Sequence, residues 1–425
     1  MRSRQPLSRK QKFLVLALVP VYFIVAGFFL QPVGEMLPGL IAIIREPDFL
    51  ITDYFVIGGI GAAFINAGVL TLISIGIVYF LGMEMDGHTL TSAFLMFGFS
   101  LFGKNLLNIW LILLGVALYA RYHKTSITRY IYIGFYGTSL SPIITQVMLI
   151  GHLPIPARLL LCAFTGITIG FVLPPLCTHV HFAHKGYSLY NVGFAGGIIA
   201  TVIVSMFKSF GITIESRLIW STGNNLLFFV LLSVLFAGMV VASALWNRDI
   251  LTHYRRILKS YGLGGTDYVK SEGESAALFN MGINGLAVTL FVVLVGCDLN
   301  GPVIGGIFTV VGFSATGKHL RNILPVMLGV WIASFTKYWN ITDPSATLAL
   351  LLSTTLAPIA GEFGIFAGIL AGFLHSSVAL NVGIIYGGMN LYNNGFAGGI
   401  VAIFLVPVIQ SIRDRRARAR GGLSL

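Results

Sequence analysis

Apolar residues in this chain run in long, nearly unbroken stretches, unlike the alternation of a half-buried strand or the one-sided stripe of a surface helix. Ten stretches are long enough for helices: 12–33, 54–82, 130–150, 156–175, 188–208 and 218–246, then 276–296, 344–361, 363–382 and 390–411. A bilayer crossing takes about 20 such residues. The pattern therefore predicts an all-α, polytopic membrane protein with about ten transmembrane helices. Four shorter apolar pieces stand apart, 89–102 with 106–120 and 302–316 with 322–336, each pair separated by a Gly-Lys step. At 1.5 Å per residue each piece covers roughly 21 Å, short of the roughly 30 Å hydrocarbon core. Each pair is expected to form a re-entrant helical hairpin.

The two sets of pieces are copies of each other. Sliding the chain by 214 residues aligns the stretch from Gly98 to Val116 with that from Gly312 to Val330, with eleven of nineteen positions identical, including Gly98, Phe99, Ser100, Gly103 and Lys104. The same offset pairs Asn66 with Asn280 and the segment Gly82 to Glu84 with Gly296 to Asp298. Further on, Thr138 to Ile143 matches Thr354 to Ile359, and at an offset of 202 Leu189-Tyr190-Asn191-Val192-Gly193 matches Leu391-Tyr392-Asn393-Asn394-Gly395, each running on into Phe-Ala-Gly-Gly. The chain is an internal duplication.

Charge sets the expected topology. A basic N-terminus (Arg2, Arg4, Arg9, Lys10, Lys12) in the cytoplasm leaves Arg121, His123, Lys124 and Arg129 inside, along with the linker carrying Arg248, Arg255, Arg256, Lys259 and Lys270, as the positive-inside rule requires. The first repeat then begins outside and the second inside, so the repeats are inverted. The organisation read from this is 1–53 for the N-terminal segment, first helix and external loop; 54–246 for repeat 1 with a linking helix; 247–275 for a cytoplasmic linker; 276–411 for repeat 2; and 412–425 for a basic tail. Both termini face the cytoplasm of a cell (inner) membrane. The 12–33 core is too long for a signal-peptide h-region and is expected to remain as the first crossing.

Composition agrees: 56% of the 425 residues are hydrophobic and 10% charged, against about 25% charged in an average soluble domain. No large extramembrane catalytic domain fits. The net charge of +12 follows the topology, including Arg413, Arg415, Arg416, Arg418 and Arg420 of the tail, and reads as positive-inside anchoring, with contact to anionic lipid or RNA the alternative for the tail and no nucleic acid partner expected. Cys162, Cys177 and Cys297 have neither disulfide-framework nor zinc spacing.

Short or broken hydrophobic segments at matching places in inverted halves point to a transporter site near the midplane, because non-helical backbone at that depth must be shielded by protein or face water. Lys104 and Lys318, at the two tips, are candidates to hold an anion from both sides, since a lysine inside a bilayer is costly. The alternative is that both snorkel to headgroups. Asn108 and Asn322, four residues on, and Ser100 and Ser314 before each lysine add donors and acceptors. Asn191 and Asn393 precede glycine-rich turns where backbone can approach closely. Interhelical hydrogen bonding is the other reading of these asparagines, and the favoured one for Asn66 and Asn280. His179, His181 and His184 are not duplicated and read as interfacial histidines. Glu362, aligned with Gln146, reads as an interfacial carboxylate.

No nucleotide-binding Gly-x-x-x-x-Gly-Lys-Ser/Thr motif occurs, and Ser100 and Ser314 have no histidine at catalytic spacing. No enzymatic activity and no cofactor are expected. The Gly-Phe-Ser-x-x-Gly-Lys and Leu-Tyr-Asn-x-Gly-Phe-Ala-Gly-Gly motifs resemble those of an uncharacterised prokaryotic membrane-protein family with internal duplication, a domain of unknown function, over nearly the whole chain. More distantly, Phe64-Ile65-Asn66-Ala67, Phe279-Asn280-Met281, Tyr190-Asn191 and Tyr392-Asn393 resemble stretches of the urea-transporter family, although the prolines of that pattern are absent. That resemblance implies ten crossings with two half-membrane elements. The expected function is a transporter or facilitator for a small polar or anionic solute, with room for a homo-oligomer. A passive urea-transporter-like channel and a structural or lipid-interacting membrane protein remain alternatives.

Overall fold

The structure is a computed structural model that describes residues 7–47, 51–151, 153–212 and 217–421, with side chains as far as Arg418. Arg2, Arg4 and the side chain of Arg420 lie outside the described residues, as do 422–425. The described chain is all-helical, with one isolated parallel bridge between Thr52 and Ile219. The first half contains α1 (Arg9–Leu30), α2 (Val33–Arg45), α3 (Tyr54–Gly58), α4 (Ile60–Phe80), α5 (Gly87–Phe99), α6 (Trp110–Tyr122), α7 (Ile131–Gly137), α8 (Ser141–Met148), α9 (Ile155–His184) and α10 (Asn191–Ser209). The second contains α11 (Asn225–Trp246), α12 (Ile250–Ile257), α13 (Tyr268–Glu272), α14 (Glu274–Leu294), α15 (Gly301–Phe313), α16 (Leu320–Ser334), α17 (Pro344–Leu352), α18 (Ala357–Phe363), α19 (Ile365–Val382) and α20 (Asn393–Gly421). The linking helix of the sequence reading, α11, packs on α14 as α1 packs on α4.

Among the described residues nine helices are long and apolar enough to cross a bilayer. The stretch 130–150 is not among them; it is divided into α7, a 3-10 turn at Thr138–Leu140, and α8, a division shared by its counterpart 344–363, which is counted. Pro142 in the first turn of α8 brings no backbone N–H, so the ladder cannot run through. The reverse holds in α9, which continues past 175 to His184 with Pro174 and Pro175 inside it. Neighbouring groups in a packed membrane helix can take up the freed carbonyls.

The short helices α5 and α15 form the centre. Every residue of α15 is buried, and of α5 only His88 is partly exposed. Asp86 caps α5 and Asn300 caps α15, each accepting from the backbone N–H three residues on. The two helices pack against each other antiparallel. A Cβ on Gly98 would lie 2.9 Å from the Gly305 carbonyl oxygen, Thr91 Oγ1 donates to the Gly312 carbonyl at 2.9 Å, and Phe97 stacks on Phe308 at 4.9 Å. The 214-residue offset converts the Thr91–Gly312 contact into the Gly305–Gly98 contact, so a local two-fold relates the pair. From each tip the arms part: α6 packs on α9 and α16 on α19, instead of along α5 and α15. The two arms of each expected re-entrant hairpin therefore do not pack along each other.

Glycine makes those outer contacts. A Cβ on Gly372 would clash with the Val326 carbonyl oxygen, as would one on Gly170 with that of Ile112. Gly372→Ala is expected to force α16 from α19 at a cost of about 1–3 kcal/mol. Gly238→Ala on α11, where a Cβ meets nothing within 4 Å, should instead be neutral or stabilise by up to about 1 kcal/mol. Thermal unfolding in detergent checks both, and equal behaviour of the two would contradict the packing.

Candidate functional site

Each tip is held by an asparagine from the preceding helix. Asn66 Nδ2 donates to the carbonyls of Ser100 (2.7 Å) and Lys104 (2.9 Å), and Asn280 Nδ2 to those of Ser314 (2.7 Å) and Lys318 (2.7 Å). These four carbonyls lie where α5 and α15 end and have no intrahelical donor. Asn108 and Asn322 are turned into the tips: Nδ2 donates to the carbonyls of Gly103 (3.0 Å) and Gly317 (2.9 Å), while Oδ1 accepts from the N–H of Asn105 and His319. Ser100 Oγ donates to Met96 and Ser314 Oγ to Val310. Asn191 and Asn393 tie the starts of α10 and α20 back to the preceding helices, through the carbonyls of Cys177 and Ala379. Their amide oxygens meet His184 Nε2 and Tyr386 Oη respectively. The Gly-Phe-Ala-Gly-Gly segments are helical from their start, and Gly193 and Gly395 let α10 and α20 cross in contact.

The lysines converge on one centre. Both are fully buried, so neither snorkels to the surface. Lys318 Nζ donates to Tyr190 Oη (2.5 Å) and Thr354 Oγ1 (2.8 Å), above the Tyr190 ring at 4.4 Å. Lys104 Nζ donates to the Phe135 carbonyl (3.0 Å) and lies 5.3 Å from the Phe99 ring. Phe99 packs on Tyr392 at 4.4 Å, Tyr392 on Tyr190 at 5.5 Å, and Tyr190 on Phe313 at 4.8 Å. A row of four aromatic rings thus joins the lysines, with Phe99 and Tyr392 the repeat counterparts of Phe313 and Tyr190. The two ends differ: Tyr190 Oη is bonded by Lys318, whereas Tyr392 Oη is buried without a partner.

This aromatic row floors a cavity of about 320 Å³. Tyr190, Tyr392 and Phe313 lie at its buried end, and exposed Arg129, His181 and Gly265 at its mouth. Asn191, Val192 and Gly193 also line it, and they form the first turn of α10, which has no side-chain cap. Their N–H groups and the helix dipole favour negative charge. The lining includes one arginine and two histidines, His88 and His181, and no carboxylate. Neither lysine lines the cavity directly: Lys318 lies against Tyr190 of its floor, and Lys104 lies one ring further back, behind Phe99.

One pair of functional side chains escaped the sequence reading. Asp53 and Asp267, 214 residues apart, cap α3 and α13 and also reach across to the opposite half. Asp267 accepts from the Gly87 N–H at 3.2 Å, and Asp53 from that of Gly301, the first residues of α5 and α15. Asp53 additionally holds Ser221 through its N–H (3.0 Å) and hydroxyl (2.5 Å). The signal was available in Thr52-Asp53-Tyr54 and Thr266-Asp267-Tyr268. Of the other singled-out residues, Glu362 accepts from Tyr187 Oη at 2.6 Å and faces Arg413, away from the aromatic row.

The family model described as "Protein of unknown function (DUF1576)" matches residues 22–209 and 246–411. The chain belongs to this family. The DUF1576 match takes in both tips, both lysines and all four rings of the aromatic row. Comparison with curated proteins and with solved structures gives no match. Within the DUF1576 assignment, the likeness to urea transporters rests on the motifs quoted above alone.

Proposed function

We propose that this chain is a secondary transporter or facilitator of a small polar solute, with anions preferred, working at the interface of two inverted repeats. The observation that carries the proposal is the cavity that ends blind on the Tyr190–Tyr392 floor, between two repeat-related buried lysines. A blind cavity is what alternating access requires of a state open to one side. The capless start of α10, with Arg129, His88 and His181, makes that cavity electropositive. The inverted arrangement is supported by the antiparallel α5–α15 contact, whose two-fold runs across the helices. The re-entrant reading is supported by the course of α6, which runs alongside α9 in the same direction, with Leu111 at Gly166 and the Gly115 turn at Gly170. It is supported too by the return of the chain after α6 to the cavity mouth, where Tyr132 lies 5.9 Å from His88. With the positive-inside orientation the mouth faces the cytoplasm of a cell membrane. The solute passes chemically unchanged and no cofactor takes part.

The test is uptake of a panel of small carboxylates, inorganic anions and urea into proteoliposomes, with and without a proton or sodium gradient. Accumulation above equilibrium would establish coupling and exclude a channel. Gradient-independent equilibration would leave only a facilitator, and absence of flux for the whole panel would overturn the proposal.

A further inference from the structure

A second cavity, of about 480 Å³, lies outside this centre, in a slot between α1 and α11. The two helices are joined at its inner end, where Tyr22 Oη donates to the Leu231 carbonyl at 3.0 Å. At its outer end Lys12 pairs with Glu274, beside Trp246. From Lys12 to Tyr22 the slot is about 15 Å long at 1.5 Å per residue, half of a hydrocarbon core of about 30 Å. Its floor is Leu90 and Phe94 of the central helix α5. On the other side of the centre the gap between the same two helices is filled by Phe23 and Phe236, which meet Phe308, the repeat counterpart of Phe94. The slot therefore exists in one leaflet only, the one on the side of the 247–275 linker.

Its chemistry changes along its length as that of a lipid does. The deep part is apolar. Ser243 lines the slot one turn below Trp246, is 4% exposed, and its hydroxyl has no hydrogen-bond partner. A buried, unsatisfied hydroxyl costs free energy that an incoming acceptor would recover. At the rim Lys12, paired with Glu274, supplies a cation for a phosphate, and a tryptophan at that depth is typical of the headgroup boundary.

We propose that this slot is a binding site for one phospholipid, with an acyl chain against Leu90 and Phe94, an ester carbonyl accepting from Ser243 Oγ, and the headgroup phosphate at Lys12. The bound chain would touch α5 directly and so reach the half-helix that carries the first tip. The site is independent of whether the chain transports a solute.

The experiment is native mass spectrometry of the full chain in detergent, titrated with dioleoyl phosphatidylglycerol or dioleoyl phosphatidylcholine. One adduct is expected with either lipid, since the two share the phosphate and the acyl esters. Gly238→Phe, which fills the slot from a position with open space around its Cβ, should abolish that adduct. Ser243→Ala, which removes only the hydroxyl, should weaken it about fivefold, and thermal unfolding confirms that both variants are folded. No adduct with either lipid, or an adduct unaffected by both substitutions, would overturn the proposal.

Discussion

Asn280→Ala should destabilise the protein by about 2–5 kcal/mol, and Asn66→Ala by a similar amount at the other tip. Each amide satisfies two buried carbonyls that no helix can serve. Leaving a buried acceptor without a partner costs about 1–3 kcal/mol. The decisive comparison is Asn280→Asp, which keeps the shape, removes the NH₂ donor and sets a carboxylate against two carbonyl oxygens. It should be worse than alanine. Denaturant unfolding in detergent reads all three variants, and an aspartate variant as stable as the parent would show that the tip does not depend on this amide.

Lys318→Met should reduce solute flux ten- to hundredfold with the fold retained, and Lys104→Met should act in the same direction. Methionine preserves the apolar stem but removes the charged donor that holds Tyr190 Oη and Thr354 Oγ1. A hydrogen bond involving a charged group contributes about 1.5–3 kcal/mol, equivalent to that range of affinity. Tyr190→Phe removes the hydroxyl through which Lys318 meets the cavity floor and should produce part of the loss. Initial uptake rates in proteoliposomes measure the series. Unchanged rates in both lysine variants would detach the aromatic row from transport.

What the sequence disclosed and what it hid follow from the range of each interaction. The short helices were legible because their apolar runs end at glycines: 302–316 became Gly301–Phe313, and 89–102 became Gly87–Phe99. The duplication pointed to both lysines and to Asn66, Asn280, Asn108 and Asn322, but not to Asn284, which donates to Ser314 Oγ at 2.6 Å and has Leu70 as its counterpart. Asn108 and Asn322 were legible as polar residues but not as internal caps, since the choice between facing a cavity and facing one's own tip is made by backbone geometry. The row from Phe99 to Phe313 joins residues from both halves, and no periodicity carries information over that separation. Asp53 and Asp267 were hidden for another reason: three matching residues outside an apolar run are a weak signal, and the carboxylates act on Gly301 and Gly87 in the other half. The end of α9 was misplaced because Pro174-Pro175 stops a helix in water more readily than in a packed membrane bundle.

The antiparallel contact of α5 with α15 has the geometry of an isologous dimer interface, in which one patch meets its own copy. In an assembly of two identical subunits a substitution there would strike twice, and the two ends of the aromatic row would be obliged to stay alike. Covalent fusion removes that obligation. Gly98 and Thr91 can change without Gly312 and Gly305 changing, so evolution can bias the resting position of one half against the other by single substitutions. The unequal environments of Tyr190 and Tyr392 are an asymmetry that such a tandem chain can inherit and that a symmetric pair of identical subunits could only adopt transiently.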